Sequence, residues 1–132
     1  MNLCQGKVGP GTVVVAIENF LYEVNEDIWM DMSCLIVSDP DRKIQLQSFS
    51  QPTPIAAGHV EKLRAATPDN YPKQWSGYAV TTGQVMGELL NVPPSAWQEA
   101  VTGVHRRQLL LLGAQALAGL YRKAVQAKVE EI

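Results

Sequence analysis

Polar and apolar residues alternate along much of the first fifty positions, and this pattern predicts an antiparallel β-sheet. The runs TVVVAI (12–17) and FLYEV (20–24) are rich in β-branched and aromatic residues, which favour strands. Glu18 and Asn19 separate the two runs and predict a tight hairpin. From position 28 to position 36 every even position is apolar, so we expect that face of the strand to be buried.

Further strands are predicted on both sides of this region. The segment KIQLQSF (43–49) alternates again, with Ile44 and Leu46 on one face, and the turn-forming residues SDPDR (38–42) precede it. The segment LCQGKV (3–8) is a candidate edge strand. The first fifty residues are therefore expected to form a meander of three to five strands.

Helix signals begin where the sheet pattern ends. Thr53 and Pro54 can start a helix that runs to about Ala66, because proline is tolerated in a first helical turn. Residues 67–78 have the composition of a loop. Gly103 is expected to break the chain before a last helix, which we predict from Val104 to about Glu130.

Two capping boxes predict the helices in between. Thr81 with Gln84, and Ser95 with Gln98, have the spacing at which a hydroxyl and an amide cap a helix start reciprocally. Helices should therefore begin near Thr82 and Ala96. The fold class predicted from all these signals is α+β, with three to four helices after the sheet and a long helix at the C terminus. We expect one domain, 1–132, with a sheet part at 1–50 and a mainly helical part at 51–132.

The last predicted helix is apolar on nearly every side. Between Leu109 and Tyr121 only Gln115 is polar, and this run is shorter than the roughly 20 residues that cross a bilayer. A single sheet covers only one side of a helix, so a second copy of the chain is expected to cover the rest, helped by small residues such as Gly113 and Gly119. The alternative is that the other helices wrap it completely inside a monomer.

Composition and charge narrow the class of protein. The chain has 132 residues, 46% hydrophobic and 18% charged, which is typical of a folded domain and not of a disordered one. Two cysteines are too few for a disulfide framework, and the first residues lack the pattern of a signal peptide. We therefore expect a cytoplasmic protein with reduced thiols.

The charges are distributed unevenly along the chain. The first 41 residues hold seven acidic side chains against one lysine and carry −6, whereas the rest holds ten basic and six acidic side chains and carries +4. The net charge of −2 argues against duplex nucleic acid as a partner, since binding it requires a broad basic surface. The acidic half could instead meet a basic protein.

A basic cluster and an aromatic loop are the candidate ligand-binding residues. His105, Arg106 and Arg107 stand at the start of the last helix and span about 200° of helical arc, so at least one should point into a cleft or an interface. Arginine binds phosphate or carboxylate through two hydrogen bonds. The alternative is that these arginines pair with Glu88, Glu99 or a neighbouring subunit.

The loop at 69–84 supplies the aromatic part of this candidate site. It contains Tyr71, Trp75 and Tyr78 and leads to Thr82 at a predicted helix start, where free backbone amides favour an anion. Aromatic faces for a base and arginine for a phosphate are the groups that a nucleotide site needs. We expect a small anionic, nucleotide-like ligand, held at a site shared between subunits.

Motifs for metals, cofactors and catalysis are missing. GKVGPGT (6–12) precedes a predicted strand and does not end as a phosphate-binding loop does, and NEDIWMDM (25–32) lacks the spacing of a calcium loop. The cysteines and histidines do not have zinc-binding spacing, and Cys34 with His59 is a weak candidate for a nucleophile and its base. No metal, cofactor or catalytic residue is predicted.

We therefore expect a non-enzymatic, homo-oligomeric protein that sequesters its ligand. The alternative is a protein-binding inhibitor or adaptor that uses its acidic N-terminal half. In layout alone the chain resembles the small phage proteins that sequester nucleotide immune signals, such as the Thoeris anti-defence class. No residue motif is shared with that class, so the resemblance implies a phage or mobile-element origin but assigns no site residue.

Overall fold

The protein has an α+β fold, as the residue pattern predicts. The computed structural model describes residues 9–73, 75 and 77–130, so the candidate edge strand at 3–8 lies outside the described residues. The chain forms a four-stranded antiparallel sheet and then helices, the last of them long. The elements are β1 (Val14–Glu23), β2 (Ile28–Asp39), β3 (Ile44–Phe49), β4 (Thr53–Ala56), α1 (Ala57–Ala65), α2 (Thr82–Leu90), α3 (Trp97–Thr102) and α4 (Arg106–Glu130).

Strand β2 is the centre of the sheet. It pairs along one side with β1, from Val14 opposite Ser38 to Glu23 opposite Trp29. Its other side pairs with β3 through the second half of β2 and with β4 through the first half. β1 is therefore an edge strand, and β4 extends the sheet into the part of the chain that was expected to be mainly helical.

The predicted hairpin at Glu18 and Asn19 is wrong, because β1 runs straight through both residues. The chain turns instead between β1 and β2. There the side-chain oxygen of Asn25 accepts hydrogen bonds from the backbone N–H groups of Asp27 and Ile28, at 2.9 and 3.0 Å. An asparagine that closes its own turn in this way is a stronger turn signal than the Glu-Asn pair, which lacks the glycine that tight hairpins favour.

The buried face of β2 is also the opposite of the predicted one. Its odd positions from Asp31 to Asp39 are buried, while its even positions are only half-buried. The helices cover the face that presents Leu35 and Val37. This is possible because the polar residues on that face have partners: Asp31 accepts a hydrogen bond from Asn19, and Asp39 from Tyr121.

The helices pack on this covered face in two groups. Val60, Met86 and Trp97, from α1, α2 and α3, form one apolar cluster with Ile55 of β4. Helix α4 forms the other cluster, in which Leu117 packs on Leu35 and Val37. Ile44 and Leu46 of β3 lie on this same face of the sheet, opposite Asp39 and Val37. A polar region separates the two clusters and is described below.

Two of the predicted helix starts differ in the structure. Thr53 and Pro54 belong to β4, because Pro54 lies opposite Met30 in the sheet, and α1 begins only at Ala57. The box at Ser95 and Gln98 does not form, since residues 94–96 are a short 3-10 turn without a side-chain cap and Gln98 is buried.

The other helix boundaries follow the sequence signals more closely. The capping box of Thr81 with Gln84 is present, and α2 begins at Thr82 as predicted. Gly103 has a φ of 74° and ends α3, as a left-handed glycine commonly does. Helix α4 begins at Arg106 and not at Val104, because the His105 Nδ1 atom accepts a hydrogen bond from the Arg107 N–H at 3.1 Å.

Helix α4 contacts the sheet with one narrow side. Leu109, Gly113 and Leu117 are buried, whereas Leu112 is 68% exposed and Leu111 and Leu120 are 47% exposed. The alternative that the other helices wrap α4 inside a monomer is therefore wrong. Coverage by a second copy stays a prediction. No described helix is both long and apolar enough to cross a membrane.

Gly113 allows α4 to approach the sheet closely. A Cβ atom at this position would lie 2.6 Å from the Phe49 carbonyl oxygen, which is too close for any side chain. One of the small residues expected to serve a helix–helix contact thus serves packing on the chain's own sheet. Further along α4, the Tyr121 hydroxyl donates a 2.6 Å hydrogen bond to Asp39. This bond and the neighbouring Arg42 lower the pKa of Asp39.

Two glycine substitutions on α4 should therefore have opposite effects. Gly113→Ala forces α4 away from Phe49 and should lower the free energy of unfolding by about 1–3 kcal/mol. Gly119→Ala is the matched control, because its Cβ would meet only Arg122 at 3.9 Å. It should raise the free energy of unfolding by about 0.5–1 kcal/mol, the helix propensity difference. Urea denaturation measures both, and equal effects would contradict the close approach.

Candidate functional site

The residues predicted to bind ligand lie in two separate places. Trp75, Tyr78 and Thr82 line a cleft of about 790 Å³ beside β1 and β2. The basic cluster His105, Arg106 and Arg107 lines a groove of about 380 Å³ at the start of α4. Tyr71 is half-buried in the same loop as Trp75 but does not line the cleft. A single chain thus does not bring the aromatic loop and the basic cluster into one pocket.

The cleft lies between the sheet and the loop that joins α1 to α2. Asn19, Leu21 and Trp29 line it from β1 and β2, and residues 67–69, 77–78 and 80–82 line it from the loop and the start of α2. The Thr67 hydroxyl holds this loop against α1, since it donates to the Leu63 carbonyl and accepts from the Ala79 N–H, both at 2.9 Å. The loop wall is thereby fixed to a helix and the opposite wall to a sheet.

Arg64 is the cation of the cleft, and sequence analysis missed it. Its Nε atom donates a hydrogen bond to the Tyr78 hydroxyl at 3.2 Å, and its guanidinium carbon lies 5.4 Å from the centre of the Trp29 ring. Glu61 forms an ion pair with the same group. Stacking on an aromatic ring and hydrogen bonding to a phenol place the charge in a fixed position at the cleft wall.

A buried polar centre lies behind the cleft, between the two groups of helices. Asp31 is only 4% exposed. Its Oδ2 atom accepts a hydrogen bond from the Asn19 amide at 2.9 Å, and the Ser33 hydroxyl donates to the Asn19 side-chain oxygen at 2.9 Å. Ser50 continues the network, because its hydroxyl accepts from the Ser33 N–H at 2.9 Å.

Three helices reach Asp31 from the other side. Thr82 in α2 and Gln98 in α3 lie close to the carboxyl group, and the charge of Arg106 in α4 acts on it. Burial raises the pKa of Asp31 above its ordinary value of 3.8, and it outweighs the Asn19 hydrogen bond, the Arg106 charge and the polar side chains of Gln98 and Thr82, which lower it. The amide oxygen of Gln98 is buried without a hydrogen-bond partner.

The polar centre connects the cleft with the groove. A small cavity of about 10 Å³ lies within it, which is about the space of one water molecule. Asn19 lines both this cavity and the cleft, and Arg106 lines both this cavity and the groove. Arg106 therefore faces Asp31. Among the ion pairs found in the described residues, none joins Arg106 or Arg107 to Glu88 or Glu99.

The groove itself is apolar with a basic rim. Ile17, Leu35 and Leu111 are among the residues that line it together with His105, Arg106 and Arg107. It lies along the side of α4 that faces β1, where Ile17 is 51% exposed. Such a surface suits an apolar helix better than a free phosphate, since only its rim offers hydrogen-bond donors.

Metal-ligating and nucleophilic groups are dispersed in the described part of the chain. No group of three or more histidine, cysteine, aspartate or glutamate side chains there could hold a metal ion. Cys34 is a free, half-buried thiol on the even face of β2. His59 lies on α1, where its Nδ1 atom is buried without a hydrogen-bond partner.

Replacing Asp31 should change how stability depends on pH. The folded carboxyl group has a raised pKa, so the contribution of Asp31 to the free energy of unfolding should fall as pH rises above 3.8. Asp31→Asn removes this pH-dependent loss. The free energy of unfolding of the unmodified protein, minus that of the variant, should therefore decrease from pH 4 to pH 7. Urea denaturation at each pH measures both free energies.

The exposed Asp27 provides the control for this comparison. Asp27→Asn changes a carboxylate at the surface turn before β2, and its curve should run parallel to that of the unmodified protein. The difference in free energy of unfolding between the unmodified protein and the Asp31→Asn variant could instead stay constant with pH, or grow in favour of the unmodified protein as pH rises. Either result would contradict a pKa of Asp31 that burial raises.

Comparison with known proteins does not identify a family for this chain. No protein-family model matches the chain, and no solved structure matches it. The cleft, the polar centre and the groove are therefore the features from which a function can be inferred.

Proposed function

We propose that the chain is a cytoplasmic, non-catalytic and homo-oligomeric protein that holds a small anionic, nucleotide-like ligand in the cleft. One observation carries this proposal: a cleft of about 790 Å³ combines the faces of Trp29, Trp75 and Tyr78 with the guanidinium of Arg64. Clefts of this size hold small molecules, and aromatic rings with a few polar groups are the usual lining of such sites. Sequestration requires binding only, and the sequence contains no catalytic motif.

Each part of the ligand has a suitable partner in the cleft. A base can stack on the aromatic side chains, while the acidic group is attracted by Arg64, whose guanidinium carries five N–H donors. Tyr78 and Glu61 occupy only some of these donors. The first amide of α2, at Thr82, has no acceptor within its helix and favours an anion. Asp69 also lines the cleft, and its carboxylate can accept from sugar hydroxyls.

The oligomer is proposed to form through α4. Leu111 and Ala114 line the groove beside Ile17, and Leu111 is 47% exposed. A second α4, antiparallel to the first, would cover this surface and bring Glu130 of one copy towards the basic cluster of the other. Arg107 and His105 would then act at the subunit interface, apart from the cleft that holds the ligand.

The alternative of an inhibitor or adaptor that uses the acidic N-terminal half has weaker support. Asp31 and Asp39, two of the seven acidic residues, are buried and add nothing to a surface for a basic partner. Native mass spectrometry of freshly purified protein, with denatured extracts measured at 260 nm, separates the two proposals. A retained nucleotide supports the first, and its absence favours the second.

Arg64→Gln should weaken the binding of nucleoside monophosphates about ten-fold or more, because a charged hydrogen bond is lost. Lys62→Gln is the matched control, since it removes the same charge from an exposed position on α1 and should leave affinity unchanged. Isothermal titration measures the affinity, and thermal melting checks that each variant folds. Equal affinity of both variants, or equal binding of the phosphate-free nucleosides, would overturn the assignment of Arg64 to the acidic group.

Leu111→Lys should reduce the mass of the assembly at least two-fold at about 20 μM, because it places a charge in the apolar groove. Gln45→Lys adds the same charge at an exposed polar position of β3, on the face of the sheet that α4 does not cover, and should leave the mass unchanged. Size-exclusion chromatography with light scattering measures both. An unchanged mass for Leu111→Lys in a folded variant would show that α4 does not join the copies.

A further inference from the structure

The sheet has a second apolar face, distinct from the one that the helices cover. Cross-strand pairing places Phe20 opposite Met32, Ala16 opposite Ile36, and Cys34 opposite Phe49. The rings of Phe20 and Phe49 also meet edge to face, with centroids 6.2 Å apart. We call this surface the open face; its apolar residues are Ala16, Phe20, Tyr22, Met30, Met32, Cys34, Ile36 and Phe49, and Glu18, Ser38, Gln45 and Gln47 lie on the same face.

No described helix lies on the open face. The two apolar clusters that the helices form with the sheet contain its other face, through residues such as Leu35, Val37 and Ile55. On the open face Tyr22 is 58% exposed and Phe49 is 48% exposed. The remaining apolar side chains of this surface are half-buried, as expected when the only neighbours are other strands.

The open face carries the stronger apolar pattern of the two. Five successive even positions of β2, from Ile28 to Ile36, are apolar. The covered face of the same strand includes Asp31, Ser33 and Asp39. An antiparallel sheet with one face in water normally places its polar residues on that face, and here the arrangement is reversed. The open face therefore has the composition of a buried surface.

The extent of uncovered surface is large enough for an interface. The chain exposes 9087 Å², whereas a compact monomer of 14.5 kDa exposes roughly 6,900 Å². The difference exceeds the roughly 800 Å² that each partner contributes to a standard interface. Among the described residues, exposed apolar side chains lie both on the outer side of α4, as at Leu112, and on the open face, as at Tyr22.

We propose that the open face packs against the open face of a second copy. Two flat apolar sheets pack at a separation of about 10 Å, with their side chains interdigitated. A two-fold axis makes such a contact self-complementary. Glu18 lies opposite Cys34 on the open face, in the edge strand β1. Because its carboxylate is negatively charged, it disfavours an anionic lipid surface as the occupant.

This contact goes beyond the oligomer proposed through α4, because it uses the opposite side of the sheet. The two contacts are independent, so either can exist without the other. If both form, two different two-fold interfaces in one chain allow a closed tetramer. Variants in each surface therefore distinguish the two proposals.

Met32→Lys tests the open face directly. A lysine at the centre of the contact should reduce the mass at least two-fold at about 20 μM, as measured by light scattering after size exclusion. Gln45→Lys is the matched control, because Gln45 lies opposite Ser38 at the polar end of the same face and is exposed. Its mass should not change. A folded Met32→Lys variant with the mass of the unmodified chain overturns the proposal, whatever Leu111→Lys does.

The thiol of Cys34 gives a second readout that requires no charged substitution. In a Cys4→Ser background, Cys34 should react with Ellman's reagent at least five-fold more slowly at 50 μM protein than at 0.5 μM, because assembly covers it. A rate independent of protein concentration overturns the proposal. So does co-sedimentation of the unmodified chain with neutral phosphatidylcholine vesicles, which would make lipid the occupant.

Discussion

The helices of this chain cover only one face of its sheet, and this constraint determines where every other feature lies. Helix α4 packs over β2 and β3, while the three shorter helices pack at the other end of β2. The cleft, the polar centre and the groove all lie on the covered face, where the two helix groups border each other. Within the described part of the chain, the opposite face and the outer side of α4 stay uncovered.

The polar centre is a consequence of this packing. Asp31 lies where strands β1 and β2 meet the three helices α2, α3 and α4, and it is satisfied by Asn19 from the neighbouring strand. Burial makes the ionised form of this carboxyl group costly, and the Asn19 hydrogen bond offsets only part of that cost. Asn19 also lines the cleft and Arg106 also lines the groove, so both surfaces border the polar centre.

The sequence predicts those features that depend on local chemistry. Gly103 ends a helix because a left-handed residue is needed there, and Thr81 caps α2 through its own neighbour Gln84. The burial of β2 was predicted on the wrong face, because alternation shows that the two faces differ but not which of them the chain itself covers. Arg64 was missed for a similar reason. Its role depends on Trp29 and Tyr78, which are distant in sequence and come together only in the fold.

A second copy is proposed to cover the apolar surface that the described part of one chain leaves exposed. Sedimentation equilibrium of the unmodified protein between about 1 and 50 μM measures whether the copies associate. We expect a mass of at least twice 14.5 kDa at the upper end of this range, with dissociation on dilution. A single species of 14.5 kDa at every concentration would contradict it.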